Sequence, residues 1–408
     1  MIIISIIITI LYLLLIGSFA FGFDKVNYLE VSPQGIYRKN IKNSKQASEH
    51  SNLDYRVKLF KLENLPSKTK FSVIVPFRNE AENLPNLIKT IQLLQYPRAL
   101  FEIIFVDDAS EDLSVKTIKD LLKSSDCDQP DTSIIHSERK TNSPKKDAIS
   151  TAIKHAKYEW IITTDADCVL PSCWLDSFDE YIQKTHTNCI AAPVTYLEKS
   201  HFLNRFQLLD MLSLQGATMG GFGINKPFLC NGANFAYKKE LFNELHGFEG
   251  NTNIASGDDI FLLEKAAKKY PEQLGYLKCE HAIVKTQAQP TWKTLVSQRV
   301  RWAAKTSTYN SWFGKGTGLI VLLMNLLIIT LPILTVFNIF NLTIFIYLVI
   351  IKFNIDFLLI YKSASFFNQK GVLKSFIVGF LVYPFFSVYV AFISLFSSYK
   401  WKGRTFKK

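Results

Sequence analysis

FSVIVPFRNEAENLPNLIKTIQLLQYPRALFEIIFVDD, residues 71–108, decides the fold class. Two runs rich in β-branched and aromatic residues, FSVIVP and FEIIFVDD, flank LPNLIKTIQLL, whose apolar residues recur at intervals of three and four. The runs suit buried strands and the middle segment an amphipathic helix. The alternation continues with a helix through VKTIKDLLK, a strand at SIIHS, a helix around AISTAIKHA and a strand at WIITTDAD, residues 160–167. Strand and helix in regular succession imply right-handed crossovers and a parallel sheet. Ligands of such sheets bind beyond the carboxyl ends of the strands. Pro76 to Glu80, Asp107 with Asp108, and Asp165 with Asp167 all fall there, so three strand ends address one site.

Working outward, residues 1–23 are almost entirely apolar and carry no charge. That length crosses a hydrocarbon core of about 30 Å as a helix rising about 1.5 Å per residue. A cleaved signal peptide would start with a basic region and end in a small-residue site, whereas this segment starts MIIIS and ends FAFGF, so it reads as an uncleaved anchor. Lys25, Arg38, Lys39, Lys42 and Lys45 follow, and the positive-inside rule puts that flank in the cytoplasm. Residues 24–70 are polar and weakly periodic, as a linker would be. Residues 201–227 read equally as an amphipathic helix near the bilayer or as a core helix with a loop.

Beyond Trp302 the chain turns apolar again. About three membrane helices are expected within residues 317–398, near 317–340, 342–360 and 375–396, ahead of a basic tail at 399–408. Lys352 and Asp356 interrupt the second of these. Their four-residue spacing puts them on one helix face, where they face a partner helix or line a channel rather than lipid. Three crossings from the cytosol would carry the tail KWKGRTFKK outside, against the positive-inside rule; a segment that lies in the interface or re-enters would remove the conflict.

The formal charge is 47 − 35 = +12, which favours an anionic membrane surface or phosphorylated substrates; no nucleic-acid motif accompanies it. Six cysteines show no CxxC pairing and no zinc spacing, as expected of free thiols in a reducing compartment. Residues 71–316 therefore read as a cytosolic domain of an integral protein of the cell (inner) membrane.

VPFRNE at residues 75–80, VDDAS at 106–110, TDAD at 164–167, GDD at 257–259 and QRVRW at 298–302 occur in one order. Together they resemble the signature of family 2 glycosyltransferases, membrane-bound enzymes with a GT-A type, Rossmann-like nucleotide-sugar domain and DxD and QxxRW motifs. The resemblance covers about residues 71–302. It implies an inverting transfer of a sugar from a nucleotide diphosphate donor, UDP-linked, to a hydroxyl of a membrane lipid or glycan. A processive polysaccharide synthase of the cell envelope carries the same motifs. A transporter with a nucleotide-binding domain is a third reading, motivated by Lys352 and Asp356.

Chemistry supports these roles. A departing nucleoside diphosphate gains negative charge, which a hard cation such as Mg²⁺ or Mn²⁺ neutralises, and such cations take oxygen ligands. Asp165 and Asp167, two apart in an extended segment, would project to one face. The resemblance assigns the metal chiefly to Asp167, with Asp165 nearer the donor ribose or sugar. It assigns the nucleoside to Pro76, Arg78, Glu80, Asp107 and Asp108. Lys145, in SPKKDAIS, occupies a donor-binding position at which relatives carry glycine-lysine, with Pro144 in place of the glycine. Asp258 and Asp259 open a helical stretch whose amino terminus favours carboxylates, or caps it. The resemblance makes Asp259 the general base. Gln298, Arg301 and Trp302 would lie at the acceptor and diphosphate end, with Asn231 and Gly232 in a loop that contacts a sugar.

Overall fold

The computed structural model describes residues 1–31, 68–123, 129–252, 254, 257–304, 308–396, 399–401 and 404–406; residues 32–67 of the expected linker lie outside them. The chain opens with α1 (Ile2–Lys25). The sheet domain begins with β1 (Phe71–Phe77), α2 (Leu84–Gln92), β2 (Phe101–Asp107), α3 (Ser114–Lys123), β3 (Asp131–His136), α4 (Pro144–His155) and β4 (Trp160–Thr163). It continues with α5 (Trp174–Lys184), β5 (Cys189–Ala191), β6 (Val194–Tyr196), α6 (Phe202–Gly223), β7 (Phe235–Lys238), α7 (Lys239–Glu244) and α8 (Asp258–Lys269). The remainder is β8 (Leu274–Tyr276), β9 (Val284–Thr286), α9 (Trp292–Ala304), α10 (Trp312–Val336), α11 (Leu342–Phe366), α12 (Phe376–Phe396), β10 (Tyr399–Trp401) and β11 (Arg404–Phe406).

Seven strands form the main sheet in the order β3-β2-β1-β4-β7-β5-β8. Side chains alternate across it as a strand's period of two requires: Ile74 and Ile104 pack with Ile149, Leu208 and Leu262 on one face. Val73, Val75 and Phe105 pack with Leu87, Trp174 and Phe178 on the other. This is the expected GT-A type α/β domain, with apolar helices at both ends of the chain.

The four strands read from the sequence, β1 to β4, pair in parallel as expected. Beyond them the sheet is mixed, because β7 runs antiparallel to both β4 and β5. After α6 a tight turn, Gly232–Asn234, leads straight into β7. The reversed direction pairs Phe235 with Thr163, and the Thr163 hydroxyl donates to the Gly232 carbonyl at 2.7 Å. The Asn231-Gly232 loop thereby arrives at the carboxyl end of β4, where the parallel strands present their acidic residues.

Among the described residues, four helical stretches are long and apolar enough to cross a membrane: α1, α10, α11 and residues 370–396 containing α12. Helix α6 joins them to the domain: Met211 and Leu212 enter the sheet core, while its glycines meet α1 and α11. A Cβ at Gly223 would lie 1.8 Å from the Gly22 carbonyl oxygen, so only glycine lets these backbones approach. Residues 201–227 are thus buried on two sides. Lys352 and Asp356 form an ion pair; Tyr12 donates to Asp356 at 2.5 Å, and the Lys352 ammonium sits 5.2 Å from the Tyr12 ring and 5.0 Å from that of Phe380. The pair faces α1 and α12.

Candidate functional site

The first two strand ends are tied together by Arg78. Its guanidinium donates to the Asp108 carbonyl at 2.8 Å and to that of Ala109, and pairs with Glu111 at 2.7 Å. Asn79 and Ala109 adopt left-handed backbone angles, φ 52° and 56°, which fold the two loops towards each other. Pro76, Arg78, Glu80 and Asp108 line a cleft of about 500 Å³ beyond β1. Asp108 is buried and paired with Arg139 at 2.7 Å. Asp107 lies outside the cleft, accepting from the Ser110 amide at 2.9 Å with His136 at 3.3 Å.

Asp165 and Asp167 occupy a turn after β4, not an extended segment; the Cys168 amide closes it on the Asp165 carbonyl at 3.2 Å. The period-two argument for their common direction therefore does not apply, yet both line the same cleft because the turn folds Asp167 back beside Asp165. Asp167 accepts from the Thr286 hydroxyl at 3.0 Å. Burial, with Asp165 and Glu80 nearby, pushes its carboxyl up to about 6.

A concentration of acidic groups with room beside it suits a divalent cation. No group of three or more His, Cys, Asp or Glu arranged to hold a metal occurs among the described residues. One or two carboxylates suffice for Mg²⁺ or Mn²⁺ when phosphate oxygens and water complete the shell, so Asp165 and Asp167 fit a cation that arrives with a diphosphate.

Lys145 enters from the first turn of α4. Pro144 ahead of it stands in the helix's first turn, where its missing N–H costs nothing. The Lys145 ammonium lies 2.7 Å from Asp165 and 3.6 Å from Asp258. Burial works against its charge, but those two carboxylates and Asp259 more than offset that and hold its pKa above the ordinary lysine value.

At the other side, α8 starts from Gly257 in a left-handed conformation, φ 84°. Gly257 is the cap, so Asp258 and Asp259 stand in the first turn and neither serves as the N-cap. Asp259 accepts from the Gly232 amide at 2.9 Å, which fixes the carboxylate at the edge of a second cavity of about 440 Å³. Asn231, Gly232, Asp258, Asp259 and Trp302 line it, together with α10 and α12. Gln298 lines the first cleft, and Lys145, Asp165 and Arg301 line both. The two cavities meet at these three residues.

Arg299 and Asp210 went unsingled in the sequence. Arg299 fills an unspecified position of QxxRW, yet it pairs with Asp210 of α6 at 2.7 Å and stacks over the Trp302 ring at 4.2 Å. Tyr196 touches the same guanidinium at 3.4 Å. Asp210, the one carboxylate of α6, was the available signal.

Two family models match the chain: "Glycosyl transferase family 2" over residues 72–246 and "Glycosyl transferase family group 2" over residues 160–361. The chain is 23% identical over 237 residues to poly-β-1,6-N-acetyl-D-glucosamine synthase of Staphylococcus epidermidis, covering 57% of this chain and 53% of the synthase. It is 35% identical over 109 residues to undecaprenyl-phosphate 4-deoxy-4-formamido-L-arabinose transferase of Yersinia pestis, covering 26% of this chain and 32% of that protein. The chain thus spans about half the length of the first relative and about a third of the second. Among solved structures, a mannosyltransferase of Pyrobaculum calidifontis in complex with GDP-Man and Mn²⁺ aligns over 84% of this chain and 94% of its own, with 16% identity and a TM-score of 0.47.

Proposed function

Since this chain belongs to glycosyltransferase family 2, we propose that it moves a sugar from a nucleotide diphosphate donor, UDP-linked, onto a hydroxyl of a lipid or glycan acceptor. The observation that carries this reading is the meeting of two cavities at Lys145, Asp165 and Arg301. One cavity has the acidic and basic lining a nucleotide diphosphate needs. The other presents a carboxylate, Asp259, at the boundary with the first.

The reaction is a single displacement. The acceptor oxygen forms a bond to the anomeric carbon as that carbon's bond to the diphosphate breaks, and the configuration inverts. Asp259 takes the hydroxyl proton, and the electron pair of the broken bond leaves with the nucleoside diphosphate. The Gly232 amide holds Asp259 in orientation at the first turn of α8, where it receives the proton as the hydroxyl acidifies on attack. Lys145 and Arg301 supply positive charge where the diphosphate leaves. Pro76, Arg78, Glu80 and Asp108 bound the nucleoside, with Asp107 bracing their loop. Asp165 and Asp167 would hold Mg²⁺ or Mn²⁺, which supplies further charge neutralisation to the leaving group.

The domain faces the cytosol from the inner membrane on this reading. The basic residues after α1 support it, and Cys168, Cys173, Cys189, Cys230 and Cys279 form no disulfide among the described residues. Offering purified protein a panel of nucleotide sugars with membrane lipids and oligosaccharides, and weighing the products, tests the function. A sugar-mass increment with stoichiometric nucleotide release is expected; nucleotide release that no acceptor raises would refute it.

A further inference from the structure

Resting on that reading, we infer that the acceptor is an uncharged, hydroxyl-bearing membrane lipid that enters the second cavity sideways from the bilayer, between α10 and α12. The cavity runs from Asp259 and Trp302 to the apolar helices: Thr317 and Val321 of α10 form one wall, and Tyr383, Ser387 and Ala391 of α12 the other. Those α12 residues recur at four-residue spacing, so one face of the helix lines the cavity. Its opposite stripe, including Leu381, Phe385, Tyr389 and Phe392, is exposed and apolar as a lipid-facing surface is.

Helix α12 does not run back alongside α11. Its ring contacts with α11 come from Phe376 and Phe380 in its first turns. Farther on, the Phe386 ring meets Phe206 of α6 at 5.2 Å and Trp292 of α9 at 6.4 Å. Strand β10, just past α12, again lies against α9. The helix therefore lies along the domain with its outer stripe towards lipid, which keeps the basic tail on the domain's side and removes the conflict posed by three crossings. Helix α12 also packs against α10, so both walls of the cavity are helices with an apolar outer face, and the lipid would part them on entry.

The headgroup chemistry follows from the charges. Three cations line the cavity, Lys145, Arg299 and Arg301, against four carboxylates, Asp165, Asp210, Asp258 and Asp259. Lys145 is held by Asp165 and Asp258 and Arg299 by Asp210, so the lining is net acidic where the acceptor head must sit. A phosphate there would meet two carboxylates. A hydroxyl gives its proton to one of them. The Thr317 hydroxyl is buried in the wall with no protein partner, available to a polar atom of the lipid head.

The test uses the full-length protein in phosphatidylcholine vesicles containing diacylglycerol, a polyisoprenol or undecaprenyl phosphate, with a soluble oligosaccharide as a fourth acceptor. Radiolabelled nucleotide sugar should label diacylglycerol or the polyisoprenol. Ala391→Trp, which fills the cavity from α12, should lower that labelling by about tenfold or more while donor binding persists. Ala391→Leu gives a milder block should the tryptophan disturb folding, and Leu381→Trp on the outer stripe should leave labelling intact. Labelling of undecaprenyl phosphate, or of the oligosaccharide at a rate Ala391→Trp leaves unchanged, overturns the lipid inference while sugar transfer stands. Absence of transfer to every acceptor, with donor binding absent too, removes the functional reading itself.

Discussion

Arg299 and Asp210 form an ion pair at 2.7 Å between α9 and α6, with only 7% and 5% of their side chains exposed. The same guanidinium lies over Trp302, so the pair sets the position of the aromatic ring that lines the second cavity. Asp210→Asn would leave a buried cation without its counter-ion, a change that costs about 3–5 kcal/mol. Thermal unfolding in detergent should show a clear drop in midpoint, and the acceptor KM should rise more than the donor KM. An unchanged midpoint would mean the pair is not formed.

Lys145 bridges the two cavities through Asp165 and Asp258. Lys145→Gln keeps most of the length and removes the charge. A charge-assisted hydrogen bond is worth about 1.5–3 kcal/mol, so kcat/KM should fall by roughly 10- to 150-fold. Steady-state kinetics with the donor varied measures it, and a value within about twofold of wild type would assign Lys145 to the surface.

The Asp167 carboxyl, raised to about 6 by burial, Asp165 and Glu80, ties cation binding to pH. Its folded pKa exceeds the ordinary 3.8, so the native protein holds the extra proton between those values, and stability from that proton is lost as pH rises through them. Protons and the cation compete for the same oxygens. Mn²⁺ affinity in the presence of nucleoside diphosphate should be full from about one unit above that pKa and decline as pH falls through it. Titration calorimetry across that range checks the slope, and excess chelator should abolish transfer. A flat affinity profile would show that Asp167 does not bind the ion.

Gly22 and Gly223 let α1 and α6 touch backbone to backbone. Gly223→Val places a side chain where 1.8 Å is available to its Cβ, and overpacking of this kind costs about 1–3 kcal/mol. Lower thermal stability in detergent, together with proteolysis that releases α1, is expected. Wild-type stability would show the contact to be loose.

The four leading strands and their acidic ends were legible because each is a local pattern: FSVIVP, FEIIFVDD and WIITTDAD announce themselves within a few residues. Strand β7 was not, since FAYK says nothing of direction and only its pairing with Thr163 reverses it. Asp165 and Asp167 were found from their place at a strand end and from the TDAD motif, but their common direction was argued from strand periodicity, whereas it comes from a turn. Arg299 could not be singled out because its meaning lies in Asp210, 89 residues earlier. The lie of α12 was equally hidden: composition identifies a lipid-facing helix, but not whether it crosses or runs along the domain.

Asp259→Asn tests the central claim most directly. The Gly232 amide can still donate to the asparagine oxygen, so the loop and the start of α8 should persist. General-base contributions are typically about 10²- to 10⁴-fold, and turnover on folded, membrane-extracted protein should fall within that range while nucleotide affinity stays close to wild type. Asp258→Asn should cost less. An Asp259→Asn protein that keeps most of its turnover would contradict the assignment of Asp259 as the base.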